Sequence, residues 1–316
     1  MALFTVVIPL FNKAAEIEGT LASVLAQTEQ DFDIIVVNDG STDDSAAIVR
    51  SLNDPRIELT DQPNQGVGPA RNKGVDMATS PWIAFMDADD YWYPHHLADL
   101  KKLIDEYPEA LWMATAYEKA FTPSLSKPLS SPLMNNGPNW FGPIVDYFTL
   151  AKKDAPAWTS AVGMRRSFFN DLGGFDTDIT MGAGEDTDLW IRAALRAPLY
   201  FNNRISSRHR QYSSNRISHA PTLMRRFIDL DRYEADTSSH PGLKAYLDLN
   251  RYSIGIKFKM AGDRERASRY FQAIKPASLN ATQRLLMKLP GWALRLAVNI
   301  QGILAKFGLR LSAFNR

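Results

Sequence analysis

A chain of 316 residues with 36 Lys+Arg against 35 Asp+Glu and no cysteine excludes several functional classes at once. Balanced charge leaves no global footprint for nucleic acid, and without a thiol there is no disulfide, no thiolate nucleophile and no cysteine-held zinc. A hydrophobic fraction of 45% suffices for a sizeable core, and at about 100–200 residues per domain the length allows one large domain or a large and a small one.

The opening residues carry no basic stretch or cleavage site, so they read as a strand and not as a signal peptide. No apolar run approaches the roughly 18 residues needed to span a bilayer. The expected location is the cytosol, with peripheral contact at the inner face of the cell membrane left open.

The first third alternates in chain order. Phe4 to Ile8 is a β-branched apolar run, hence a buried strand, and Asn12 is placed to cap a helix carrying Ile17, Leu21, Val24 and Leu25. Asp33 to Val37 is a second strand, with a helix from Ser41 to about Leu52. Ile57 to Leu59 is a short strand, Gly66 to about Ala78 a helix, and Trp82 to Met86 a fourth strand. Leu97, Leu100, Leu103, Ile104 and Tyr107 mark a further helix, and Trp112 to about Tyr117 a further strand. Such alternation predicts a parallel, doubly wound sheet, whose ligands sit beyond the carboxyl ends of the strands. Residues 121–143 hold five prolines and four serines and read as a long loop. From about residue 219 the pattern is helical, which predicts a boundary between 1–218 and 219–316.

Three strand ends carry polar residues. They are Pro9-Leu10-Phe11-Asn12, Asn38-Asp39-Gly40-Ser41 and Asp87-Ala88-Asp89-Asp90. A lone Asp after a strand is usually a cap or turn former, as Asp43 and Asp44 are expected to be. Three acids in four positions repel one another unless a cation offsets them. A hard cation such as Mg²⁺ or Mn²⁺ uses one or two carboxylates plus substrate phosphates. No Gly-x-Gly-x-x-Gly and no P-loop follows the first strand, so a diphosphate here would need a metal to neutralise it. Arg71 adds a forked donor near the same edge.

At this point the sequence resembles the family 2 glycosyltransferases of the GT-A fold. The likeness rests on Val7 to Asn12, Val36 to Asp43, Gly66 to Gly74, Phe85 to Asp90, and Gly173 to Asp176 followed by Gly184 to Arg192. It covers roughly residues 3–218, and its strength lies in five motifs in the family's order. The resemblance implies a doubly wound mixed α/β sheet flanked by helices, here with a C-terminal helical extension. It also implies an inverting transferase of the kind that builds bacterial polysaccharides and cell-surface glycans. The donor would be a nucleotide-sugar, with UDP-sugars favoured, and the acceptor a glycan or lipid-linked hydroxyl.

Residue by residue, the resemblance implies that Pro9, Leu10, Phe11 and Asn12 line the nucleotide, with Phe11 stacked on the base. Asp39 would bond base or ribose, Arg71 would hold the nucleotide, and Asp87 with Ala88 would meet ribose or metal. Asp89 would ligate the divalent ion. Glu16 lies where the family often has an acid near the nucleotide, although an exposed first-turn Glu is equally compatible with the helix dipole. Asp186 matches the catalytic base, and Glu185 would orient the acceptor or assist Asp186. The family often has Tyr-Arg-x-His before a serine-rich turn, whereas this chain has Ser207-Arg208-His209-Arg210, so His209 as metal ligand competes with a plain surface role. Arg208 and Arg210 could instead hold the leaving diphosphate. Trp92, Trp158 and Trp190 could face a sugar ring but suit core packing better.

Two rival readings are a sugar nucleotidyltransferase, whose glycine-rich signature would be expected after the first strand, and an inactive nucleotide-sugar-binding protein on the same fold. Residues 267–316 contain eight Lys or Arg and no Asp or Glu. Arg284, Lys288, Arg295, Lys306 and Arg310 would share one face, with Trp292, Leu296, Ile300, Ile303, Leu304 and Phe307 as apolar bulk. This suits either a packed helical subdomain or a reversible anchor on anionic lipid.

Overall fold

A computed structural model describes residues 1–216 and 220–306, with side chains through residue 300. The chain opens with β1 (Phe4–Leu10), α1 (Ile17–Leu25), β2 (Phe32–Asp39), α2 (Ser45–Ser51), β3 (Ile57–Gln62), α3 (Val67–Met77) and β4 (Trp82–Phe85). Order β3-β2-β1-β4 is parallel throughout. Both faces are covered, which is why β1 and β2 read as continuous apolar runs. Phe4, Val6 and Ile8 pack toward Leu21 and Val24 of α1, while Val7 and Val37 meet Ala70 and Val75 of α3. Gly74 permits that second contact, since a Cβ there would collide with Val7.

Asn12 does not cap α1. It lies in the left-handed region at φ 51°, which Asn tolerates, and Glu16 occupies the N-cap position without a side-chain cap bond. The Asn12 carboxamide accepts from the Thr42 N–H at 2.7 Å, and its own N–H donates to Ser41 Oγ at 3.0 Å. These bonds tie the exit of β1 to the exit of β2. Asp43 behaves as the expected turn former, accepting from the N–H groups of Ser45 and Ala14.

The next stretch adds β5 (Tyr91–Trp92), α4 (His96–Glu106), β6 (Trp112–Thr122), β7 (Leu125–Pro128), β8 (Phe141–Ile144), α5 (Tyr147–Leu150), β9 (Val162–Arg165), α6 (Arg166–Leu172), α7 (Glu185–Arg196) and β10 (Leu199–Arg210). The sheet is mixed, as the family likeness implied, and not purely parallel as alternation alone suggested. β9 inserts antiparallel between β4 and β6, β10 runs parallel to β6, and β5 closes the edge antiparallel to β10. The proline-rich segment is not one loop: β7 folds back on β6 and β8 pairs with β10.

Short 3₁₀ turns lead into α8 (Leu243–Met260), α9 (Arg264–Gln272), α10 (Ala281–Lys288) and α11 (Gly291–Lys306). Asn280 and Gln283 form a capping box at the start of α10. The expected boundary at 218–219 lies outside the described residues, as do Phe307, Arg310 and the side chains of Ile303, Leu304 and Lys306. On both sides of that boundary the core is one. Ile228, Leu230, Tyr233, Tyr246 and Phe258 join the buried cluster that holds Val7, Phe85, Trp112 and Trp190.

Candidate active site

The carboxyl ends of β1, β2, β4 and β10 converge on one edge of the sheet, and the segment Asp87–Asp90 lies there. Its backbone is fixed from α1: the buried Thr20 hydroxyl donates to the carbonyls of Ala88 at 3.0 Å and Asp90 at 2.8 Å. Ala88 therefore contributes a buried backbone corner and no chemistry of its own.

The three carboxylates have different partners. Asp87 accepts from Arg71 Nη2 at 2.5 Å, and its N–H donates to Ser160 Oγ at 3.0 Å. Asp89 Oδ2 accepts from Lys13 Nζ and from Ser213 Oγ, each at 2.7 Å. Asp90 is buried and accepts from Ser160 Oγ at 2.6 Å, the Arg210 N–H at 3.0 Å and Trp158 Nε1 at 3.2 Å. Burial raises Asp87 against the pull of Arg71. Burial would raise Asp89 too, yet the charge and hydrogen bond of Lys13, with Ser213, hold it below the ordinary carboxylate value. Asp90 is pushed up to about 8 by burial and by the charges of Asp89 and Asp87. Arg71 is buried and rests over the Phe175 ring at 5.1 Å, and its Nε has no hydrogen-bond partner. An unpaired buried guanidinium N–H is costly unless a ligand oxygen takes it.

Asp39 is committed to the scaffold on three sides. Its carboxylate accepts from Gln62 Nε2 at 2.7 Å and from the N–H groups of Gln65 and Gly66 at 2.8 Å each. These bonds set the loop that delivers Arg71, and the capacity left on the carboxylate is one further lone pair. Pro9 and Leu10 are buried strand residues, and the Leu10 side chain faces the core, so only their backbone can reach a ligand. Phe11, at the exit of β1, is 38% exposed and free to stack. Glu16 is not a solvated first-turn residue. Its Oε1 accepts from the Ser214 N–H at 2.7 Å and hydroxyl at 2.8 Å, while Oε2 is buried without a partner.

A second acidic group begins α7. Glu185 is buried and folds back on its own loop, accepting from the N–H groups of Gly182 at 3.2 Å and Gly184 at 3.1 Å. Burial and the neighbouring Asp186 raise its pKa. Asp186 is partly exposed and lies within electrostatic reach of Arg71 and Asp87. It also lines a cavity of about 130 Å³ with Asn250, Ser253 and Lys257 of α8. Asp188, fully buried, is held by Arg192 at 2.7 Å and Tyr233 at 2.5 Å. A larger cavity, about 340 Å³, lies at the Gly173–Thr177 turn, lined by Arg192 and Arg232, whose guanidinium groups are already paired with Asp188 and Asp176.

His209 is buried, stacked on Trp158 with centroids 3.9 Å apart, and its Nδ1 has no partner. Burial, helped by Arg216, drives its pKa down to about 3, so the ring is neutral near pH 7. Among the described residues no three His, Asp or Glu side chains form a ready-made metal cage. The paired acids Asp87 and Asp89 suit an ion such as Mg²⁺ or Mn²⁺, which takes one or two carboxylates and completes its shell with water and substrate phosphates. Arg208 pairs with Glu118 at 3.2 Å and Arg210 lies over Tyr91. Trp92 and Trp190 are core residues, whereas Trp158 belongs to the site.

Whereas Ser213 and Ser214 belong to the serine-rich turn that follows His209, two participants, Lys13 and Ser160, had no sequence signal. Each comes from a segment whose composition is that of an ordinary turn.

A family model described as "Glycosyl transferase family 2" matches residues 5–173, more than half of the chain. The chain belongs to this family. Validoxylamine A glucosyltransferase of Streptomyces hygroscopicus subsp. jinggangensis is 31% identical over 60% of this chain and 51% of its own length. Succinoglycan biosynthesis protein ExoW of Rhizobium meliloti is 38% identical over 38% of this chain and 40% of its own. The chain thus matches about half, or less, of these curated relatives. Among solved structures, S. aureus TarS 1-349 in complex with UDP-GlcNAc aligns with TM-score 0.59 and 18% identity over 90% of this chain and 79% of that one. The shared architecture is the GT-A sheet with flanking helices.

Proposed function

We propose that this family 2 member moves a sugar from a nucleoside-diphosphate sugar, with a UDP-sugar the favoured donor, to a hydroxyl of a glycan or lipid-linked acceptor, with inversion and with Mn²⁺ or Mg²⁺. The observation that carries the reading is the end of β4. There two carboxylates sit beside a buried arginine with an unpartnered N–H, on a sheet with no glycine loop to cradle phosphate. The UDP-GlcNAc complex of the TarS neighbour and the glucosyltransferase name of one relative support the donor class.

Asp87 and Asp89 would hold the metal, with His209 Nδ1 a candidate third ligand. A divalent ion bound there supplies Lewis-acid stabilisation of the leaving diphosphate. Arg71 orients the nucleotide, Phe11 offers a face to the base, and Asp39 keeps the intervening loop in place. Asp186 takes the proton from the acceptor hydroxyl as that oxygen bonds to the anomeric carbon and the bond to the diphosphate oxygen breaks. Attack opposite the leaving group inverts the centre. The cavity beside Asp186 presents Asn250 and Ser253, amide and hydroxyl groups suited to a polyol. Glu185 positions Asp186 by bracing its loop.

Thermal-shift and calorimetric titration with UDP-sugars, with and without Mn²⁺, test this alongside a transfer assay. A donor at about 100 times its Kd stabilises by about 2.7 kcal/mol. Metal-independent transfer in excess EDTA removes the metal role.

The proposed membrane contact concerns α10 and α11. Leu285, Trp292, Leu296 and Ile300 are exposed, the last three at i, i+4 and i+8. Among the described residues no helix is long and apolar enough to cross a bilayer. An apolar stripe in an acid-free, basic segment suits shallow, reversible docking on anionic lipid, worth about 1 kcal/mol per basic residue near the surface. Sedimentation with anionic vesicles at low salt, lost at high salt and in Trp292→Ser/Leu296→Ser, is the expected result. Equal recovery of both proteins places any contact elsewhere.

A further inference from the structure

Lys13 is almost fully buried, yet its ammonium ends at Asp89, one of the two carboxylates proposed to meet a metal. It donates to Asp89 Oδ2 at 2.7 Å and to the Ser214 carbonyl at 2.5 Å. Ser213 Oγ donates to the same Asp89 oxygen at 2.7 Å. Glu16 grips Ser214 from its N–H side and keeps its second oxygen buried and unpartnered. One cation thus fastens the Asp89 carboxylate to the segment that follows β10. A divalent ion arriving at that carboxylate is repelled by the ammonium already on it. A lysine is suited to yielding: it is a compact charge on a flexible stem, with three rotatable donors. Glu16 Oε2 and the phosphates of a donor are both acceptors for it once it leaves.

We propose that Lys13 is a resident cation that exchanges with the divalent metal, holding Asp89 and latching Ser213–Ser214 in the donor-free protein and releasing both when metal and nucleoside diphosphate arrive. The inference rests on the metal-dependent reading above. It makes Lys13 a positioning residue, and it makes metal alone a poor ligand. Metal entering by itself works against the charge of the ammonium, whereas metal entering with a diphosphate brings that ammonium new partners.

Mn²⁺ titration followed by the resonance of the free ion, on wild type, Lys13→Met and Lys13→Arg, with and without UDP, tests the exchange. Without UDP, Lys13→Met should bind Mn²⁺ about ten-fold tighter than wild type, within the usual range of coupling between two ligands. Lys13→Arg should stay near wild type, and UDP should shrink the gap. In wild type, amine acylation at Lys13, read by mass spectrometry, should rise several-fold at saturating Mn²⁺; this arm stands even where a variant fails to fold. Equal Mn²⁺ affinity of wild type and Lys13→Met without UDP, with normal uptake by both when UDP is present, overturns the exchange and leaves the metal role standing. Unchanged labelling of Lys13 overturns it as well. Absence of Mn²⁺ uptake in every protein, UDP included, removes the metal role and the exchange together.

Discussion

The acidic cluster that ends β4 and the one that begins α7 are built alike, each with three acids in four positions, and each divides its labour the same way. In Asp87–Asp90 the last acid, Asp90, is buried and bound by Ser160, Trp158 and the Arg210 N–H. In Glu185–Asp188 the last acid, Asp188, is buried and bound by Arg192 and Tyr233. Both fasten their cluster to the scaffold. The acids before them keep labile partners or open faces: Asp89 has a lysine and a serine, Asp186 borders a cavity. The difference between the clusters lies in compensation. In the first, each of the two acids is met by a cation, Asp87 by Arg71 and Asp89 by Lys13. In the second, Arg192 and Arg232 pair with Asp188, while Asp186 has no ion pair among the described residues and borders the cavity that Lys257 also lines.

The strongest way to break this comparison is Asp89→Ala, expected to reduce transfer by at least about 10³-fold, the upper range for one electrostatic group. EDTA should mimic it, and near-normal turnover in either case refutes a metal at β4. Asp186→Asn should slow transfer by about 10²–10⁴-fold while UDP-sugar affinity stays within a few-fold. Weakened donor binding with near-normal turnover would move Asp186 to the donor side. Asp188→Ala strands Arg192 in the interior and should cost about 3–5 kcal/mol in denaturant unfolding. A loss below about 1 kcal/mol would show that the second cluster is not anchored by its last acid. The mildest is Glu185→Gln, which loses one acceptor to a loop N–H. It should cost about 1 kcal/mol and slow transfer less than Asp186→Asn does. A larger kinetic than Asp186 effect would reverse their roles.

The parallel half of the sheet was legible because strands buried on both faces are apolar throughout, and the acids after β4 stood out as a candidate because clustered like charges repel one another. The remainder followed from long-range geometry. β10 carries buried Asn202, Asn203, Ser206 and Ser207, so its sequence has no continuous apolar run to mark a strand; Asn203 donates to the carbonyls of Leu133 and Gly137. β5 and β9 are too short to show a period. Asn12 looked like a helix cap by position, yet the exit of β2 was the stronger claimant for its side chain. Lys13 was invisible because 76 positions separate it from Asp89 and no local pattern marks such a pair.

The single buried cluster shared by the sheet, the 228–233 strap and α8 bears on how the molecule comes apart. Apolar area held jointly by two segments is lost to both when either leaves. The 228–233 strap and α8 therefore cannot loosen independently of the sheet, and thermal unfolding should be one cooperative event up to α8, with calorimetric and van't Hoff enthalpies in agreement. The smaller cluster that joins α8 to α10 and α11 is a separate layer, and fraying should begin there.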